Sequence, residues 1–260
     1  MVHIVRFLEA RPVGDHRGAG GNGVDPAART GSWRAAAVDV LERPFDGGTA
    51  GHSGDRARAG VPFGPVGGVF GAIGVAVLAM LVLHLRGAGR LDPAATTVSD
   101  YVSLPGGSAL LVLATLAIAT ATATVGVLLW RRTRAPGVTG LFGLGCAGLL
   151  ASIAFPTNAM GAAVTVDTVL HRYAAGLFFV SLPVAALCAL RHLPSPVVAW
   201  LTALSVLAGI AFLISHLPLV LPESPGAHLV ATVLPRGIAE RVLLATDLVL
   251  LAGLARRVAR

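Results

Sequence analysis

The chain has 260 residues, 55% of them hydrophobic and 13% charged, with a mean hydropathy of +0.77; soluble domains carry about 25% charged residues, so an ordinary soluble fold is excluded. All 20 basic residues are arginine and the net charge is +7. They cluster in an N-terminal stretch and in short segments between apolar runs, with no basic stripe or aromatic platform, so membrane topology explains them and no nucleic-acid partner is expected.

Residues 1–60 are rich in Arg, acidic residues and Gly, and contain no apolar run able to span a bilayer or build a core. They are expected to be a disordered tail or a mis-annotated extension, because valine codons serve as bacterial starts and Val61 opens the membrane-like part of the chain. No basic n-region leads directly into a short apolar segment and a small-residue cleavage site, so the stretch is not a signal peptide. Residues 61–260 are predicted to be an all-α, polytopic transmembrane helical bundle of about six spans. An arginine-only basic complement in an Ala/Gly/Val/Leu-rich chain points to a bacterial cytoplasmic membrane as its location.

A hydrocarbon core of about 30 Å requires about 20 helical residues. Six runs meet that need: Val66 to Leu85, Ala109 to Trp130, Thr139 to Phe155, Thr168 to Leu190, Val197 to Leu217 and Gly237 to Leu254. Gly67, Gly71 and Gly74 in the first, and Gly140, Gly143, Gly145 and Gly148 in the third, predict close helix packing. Thr115, Thr120, Thr122 and Thr124 in the second are expected to bond to their own helix or to a neighbour. Pro183 is expected to kink the fourth. Cys146 and Cys188 lie inside apolar runs and read as small packing residues.

With a cytoplasmic tail, Arg56, Arg58, Arg131, Arg132, Arg134, Arg191, Arg256, Arg257 and Arg260 lie inside, against Arg86, Arg90, Arg172, Arg236 and Arg241 outside. Nine against five places both termini in the cytoplasm.

That topology gathers the remaining polar residues at the outer end: His84, Asp92, Ser99, Asp100, Tyr101, Thr157, Asn158, Asp167, His171, His216, Glu240 and Arg241. Ionisable groups at membrane depth are costly, so those within the spans are functional candidates. Asp167 and His171 are one helical turn apart, a spacing that lets the carboxylate orient the imidazole. Arg236 and Glu240 share that spacing. Glu240 and Asp247 share a face of the last span, and Asp247 needs a donor near mid-membrane.

Ser99, Asp100, Tyr101, Asp167, His171, Glu240 and Arg241 are therefore the candidate ligand-binding or polar cluster. Its candidate partners are membrane lipids and a small-molecule or lipid ligand. Arg172, Arg236 and Arg241 could clamp an anionic headgroup. Alternatively, Asp100, His171 and Glu240 serve an intramembrane enzyme acting on a lipid, and His84, His171 and His216 are candidate ligands for a metal. No cofactor is assigned. The chain lacks H-E-x-x-H, Walker, G-x-S-x-G and dinucleotide-binding motifs. It also lacks the internal repeat of a secondary transporter, only Pro183 and Asp247 suggesting a break.

The segments SDYVS (Ser99 to Ser103), FPTN (Phe155 to Asn158), HRYAAG (His171 to Gly176) and GIAERV (Gly237 to Val242) occur in that order between apolar runs. This pattern resembles the bacterial integral membrane proteins catalogued as domain of unknown function 998, over roughly Val66 to the C-terminus. The resemblance implies a small helical bundle and no established activity. Where that family has F-P-T-D, this chain has Asn158, which leaves no carboxylate at the position.

Overall fold

The computed structural model describes residues 64–158, 163–221 and 223–260. The disorder expected of residues 1–60 lies outside them. Every regular element among the described residues is helical: α1 (Pro65–Gly87), α2 (Gly107–Thr133), α3 (Pro136–Ala154), α4 (Val166–Leu190), α5 (Pro196–Ile214), two short helices α6 (Leu217–Val220) and α7 (Pro225–Val233), and α8 (Arg236–Ala259). A 3₁₀ segment, Val98–Ser103, lies between α1 and α2. The six expected spans correspond to α1 to α5 and α8. The short helices and the 3₁₀ segment were not anticipated, being too short to carry a periodic signal.

Proline opens α1, α3 and α5, because the first helical position needs no N–H and favours proline's fixed φ. At the α2–α3 junction, Arg134 takes a left-handed conformation (φ 54°) and Ala135 is extended ahead of Pro136, as a residue preceding proline tends to be. That two-residue link turns the chain back on itself. Close pairs show which helices lie side by side. Cys146 Sγ donates to Ala119 O across α3 and α2, and Gly145 abuts Ser181 across α3 and α4. His84 meets Arg241, and Arg256 sits over Phe70, across α1 and α8. Two ends result. The arginine end carries Arg131–Arg134, Arg191 and Arg256–Arg260; the loop end carries the described parts of the connections, residues 88–106, 155–158, 163–165, 215–221 and 223–235.

Five helices, α1 to α5, are long and apolar enough to cross a membrane. The sixth, α8, has 24 residues, about 36 Å at helical rise. Its charged residues set it apart in composition, yet it packs against α1, α2, α4 and α5 and turns Glu240 and Asp247 inward, at 9% and 1% exposure. Leu243, Leu250, Leu251 and Leu254 are buried on the same helix. The outer faces of α1, α4 and α5 instead display Leu78, Leu85, Val180, Leu207 and Leu213, as lipid-facing surfaces do.

Glycine packing holds for part of the chain only. Added methyl groups at Gly145 and Gly148 would meet Ser181 and the Ala174 carbonyl of α4, and one at Gly126 would meet Phe142. By contrast, Gly71, Gly74, Gly140 and Gly143 have nothing within 4 Å of that position. They pack against no neighbouring helix among the described residues. Thr115, Thr120, Thr122 and Thr124 of α2 bond to the carbonyl four residues back in their own helix, each at 2.8 Å. Helix α4 continues through the buried Pro183 to Leu190.

Candidate functional site

At the loop end, the segment between α1 and α2 folds over the start of α8. Gly237 N donates to Ala94 O at 2.9 Å. A Cβ on Gly237 would run into the carbonyl oxygens of Thr96, Pro93 and Ala94, so only glycine lets the connection and the helix touch. The 3₁₀ segment is capped by Asp100, whose Oδ2 accepts from Thr97 N–H at 2.7 Å and from the Thr97 hydroxyl at 2.8 Å. Asp100 is thus occupied within its own segment.

Arg241 locks this arrangement. Its Nε donates to His84 Nε2 at 2.6 Å, one terminal nitrogen donates to Thr96 O at 2.9 Å and Gly237 O at 2.7 Å, and the other donates to the Tyr101 hydroxyl at 3.0 Å. Four of the guanidinium's five N–H groups are committed, all to neutral acceptors. Because His84 Nε2 accepts, its proton sits on Nδ1, which donates to Met80 O at 2.7 Å. Tyr101 is 1% exposed; its ring lies 5.1 Å from that of His84 and under the guanidinium at 5.6 Å. His84, Tyr101 and Arg241 thereby form a cross-brace between α1, the connection and α8.

A second group lies on the other side of the same connection. Glu240 Oε2 accepts from Val98 N–H at 2.6 Å, and Glu240 lines a cavity of about 140 Å³ together with Ser99 and His171. A cavity near this size holds a benzene-sized molecule. His171 Nδ1 faces Ser152 O at 2.8 Å and Phe155 O at 3.1 Å. Two carbonyl partners require Nδ1 to carry the proton, which leaves Nε2 as an acceptor. Ser108, Thr115, Ser152 and Thr157 also reach the wall, and Met80, Leu111, Ile118, Phe178 and Leu244 supply its apolar part. The lining along α2 runs from Ser108 to Ile118, about 15 Å at helical rise.

Several sequence expectations are corrected by this geometry. The carbonyls of Ser152 and Phe155 orient His171, while Asp167 sits exposed in the first turn of α4; a helix start faces solvent, and the ring turns back toward α3. Asp100, Tyr101 and Arg241 do not line the cavity with Ser99, His171 and Glu240. Four of the five donors of Arg241 are committed inside the protein, which leaves no pair for a forked clamp on an anion. Nor do His84, His171 and His216 converge: no group of three metal-ligating side chains occurs among the described residues. His216 instead packs edge-on against Phe212, its Nδ1 2.9 Å from Phe212 O. Asn158 ties its connection together, donating to Ala163 O at 2.8 Å and Thr165 Oγ1 at 3.1 Å.

The hydroxyl donor required by Asp247 comes from Ser205 of α5, which bonds Oδ1. Asp247 Oδ2 is buried with no partner among the described residues. Residue types alone could flag Asp247 but not Ser205, since the pairing depends on how α5 lies against α8. Ser99 and Thr157 stand among the expected outer-end residues, while Ser108 and Ser152 of the cavity wall were missed for the same reason. Hydroxyls are common in these helices and satisfy their own backbone, so they carry no distinguishing pattern.

Residues 70–257 match the model of a family described as "Protein of unknown function (DUF998)". No curated protein and no solved structure matches the chain.

Proposed function

The chain belongs to the family described as protein of unknown function (DUF998), which assigns no activity, and we propose from the geometry that this membrane protein binds a small donor-bearing group in its loop-end cavity. The observation carrying this reading is that Ser99, His171 and Glu240, from three separate parts of the chain, line one cavity whose remaining wall is mostly apolar, with the hydroxyls of Ser108, Thr115, Ser152 and Thr157. His171 Nε2 offers a lone pair, and the Glu240 carboxylate retains acceptor capacity beyond its bond to Val98. Among the described residues, no arginine lines the cavity. The chemistry therefore favours a hydroxyl or protonated amine over a phosphate or carboxylate. With room for about six or seven heavy atoms, the cavity suits a lipid headgroup fragment or a free small amphiphile, with the apolar wall taking its hydrocarbon part.

Thermal unfolding of the purified chain with a panel of amphiphiles tests this reading. A monoacylglycerol and a primary alkylamine should raise the midpoint by a few degrees, as ligand linkage requires. An alkyl phosphate of equal chain length should not. A short-chain diol and a short-chain amine form a second arm, separating a free solute from a lipid. His171→Phe, which fills the cavity and removes the acceptor, should abolish the shift. Equal stabilisation by the phosphate, or an undiminished shift in His171→Phe, overturns the reading.

A further inference from the structure

A second concavity lies at the opposite, arginine end. It is a groove of about 760 Å³ between α1, α5 and α8. Its walls are apolar, with Ile73 and Val77 from α1, Val198 and Leu201 from α5, and Leu248 and Val249 from α8, while Arg256, Arg257 and Arg260 also line it. Along α8 the lining runs from Ala245 to Arg260, about 22 Å at helical rise, and the part below the arginines, from Ala245 to Arg256, is about 16 Å, close to half of the ~30 Å hydrocarbon thickness. The groove thus has the depth of one leaflet, with its positive charge where a headgroup would lie.

The arginines splay to either side. Arg256 sits over the Phe70 ring of α1 at 5.2 Å. Arg257 donates from one terminal nitrogen to Pro194 O at 3.1 Å, and its Nε is buried with no partner among the described residues. Among those residues no acidic side chain answers this charge. Asp92, Asp100, Asp167, Glu223 and Glu240 belong to the loop end, and Asp247 is bound to Ser205 at mid-helix.

We infer that this groove is a binding site for one anionic phospholipid, its phosphate held by Arg256, Arg257 and Arg260 and an acyl chain lying along α8. Bulk lipid tails are as apolar as leucine, so an apolar groove alone would not prefer one lipid to another. Selectivity comes from the headgroup charge, and the groove supplies the fit that holds the chain. Basic recesses between spanning helices recognise anionic headgroups in this way. The site is separate from the loop-end cavity and does not depend on its ligand.

The test uses the full chain in nanodiscs of mixed phosphatidylcholine and phosphatidylglycerol, released into neutral detergent for native mass spectrometry. Phosphatidylglycerol should remain bound in preference to phosphatidylcholine. The double variant R256Q/R260Q should lower that preference about thirty-fold, the equivalent of about 2 kcal/mol for two surface arginines. Val249→Phe, which narrows the groove and leaves every arginine in place, should also lower it; Ala252→Phe serves as a second variant of the same kind. R131Q/R132Q removes equal charge from the same end and should change nothing. Equal retention of both lipids, an equal loss in R131Q/R132Q, or full retention in both groove-filling variants overturns the inference. So does displacement by inorganic phosphate, which would mark a simple anion site. Binding that emerges only after residues 1–60 are cleaved away would make that segment the occupant, and would overturn it too.

Discussion

Arg241 and His171 illustrate how two polar residues at one end of a bundle take different roles. The four bonds of Arg241 close on His84, Thr96, Gly237 and Tyr101, whereas His171 spends one nitrogen on backbone carbonyls and turns the other side of its ring to a cavity. Removing the guanidinium would strand acceptors from three segments at once, and a buried unpaired group costs about 1–3 kcal/mol. Arg241→Gln is therefore expected to destabilise the protein by about 2–4 kcal/mol. Ser99→Ala, which trims a cavity wall, should stay within about 0.5 kcal/mol of the native chain. Unfolding midpoints of the two variants in one detergent check both values. Equal losses would erase the distinction between brace and cavity.

Among the elements, α8 bears the most consequence, because it carries Glu240 to the cavity, Arg241 to the brace and Asp247 to α5. Its entry angle depends on Gly237, against which the carbonyls of Pro93, Ala94 and Thr96 are pressed. Backbone carbonyls cannot rotate away as a side chain could. Gly237→Ala is expected to push the connection off α8 and cost about 2–3 kcal/mol, in the range of overpacked sites. Gly71→Ala should instead stabilise α1 by about 0.5–1 kcal/mol, since open space surrounds it and alanine is the better helix former. Parallel thermal unfolding of the two variants reads out the opposite signs. A stabilised Gly237→Ala would show that the connection is free to move.

The whole molecule has two chemically unlike ends. One holds arginines and His192 without acidic side chains among the described residues, and the other holds Asp92, Asp100, Asp167, Glu223 and Glu240, His84, His171 and His216, and the cavity. The distribution of arginines predicts that the arginine end faces the cytoplasm. Single cysteines introduced at Ser103 and Ser224 should react with an impermeant reagent from outside, and those at Thr133 and Ser195 only from inside. The native Cys146 and Cys188, half-buried within α3 and α4, are expected to stay unlabelled. The reverse pattern would invert the orientation and leave the helical architecture untouched.

The helical membrane architecture was legible in the sequence because the bilayer imposes one length and one solvent on every span, so run length and composition suffice. Membrane depth likewise marked Glu240, Arg241 and Asp247 as unusual, since any charge there needs a partner. The identity of each partner was not legible. Whether Arg241 meets a ligand or His84, whether His171 is oriented by Asp167 or by the α3 carbonyls, and whether Gly71 or Gly148 faces a neighbouring helix are decided by the rotation of each helix about its axis. An apolar run that is hydrophobic all round carries no periodic stripe to set that rotation. Only the tertiary packing, with its glycine contacts and its connection folded over α8, chose among the faces.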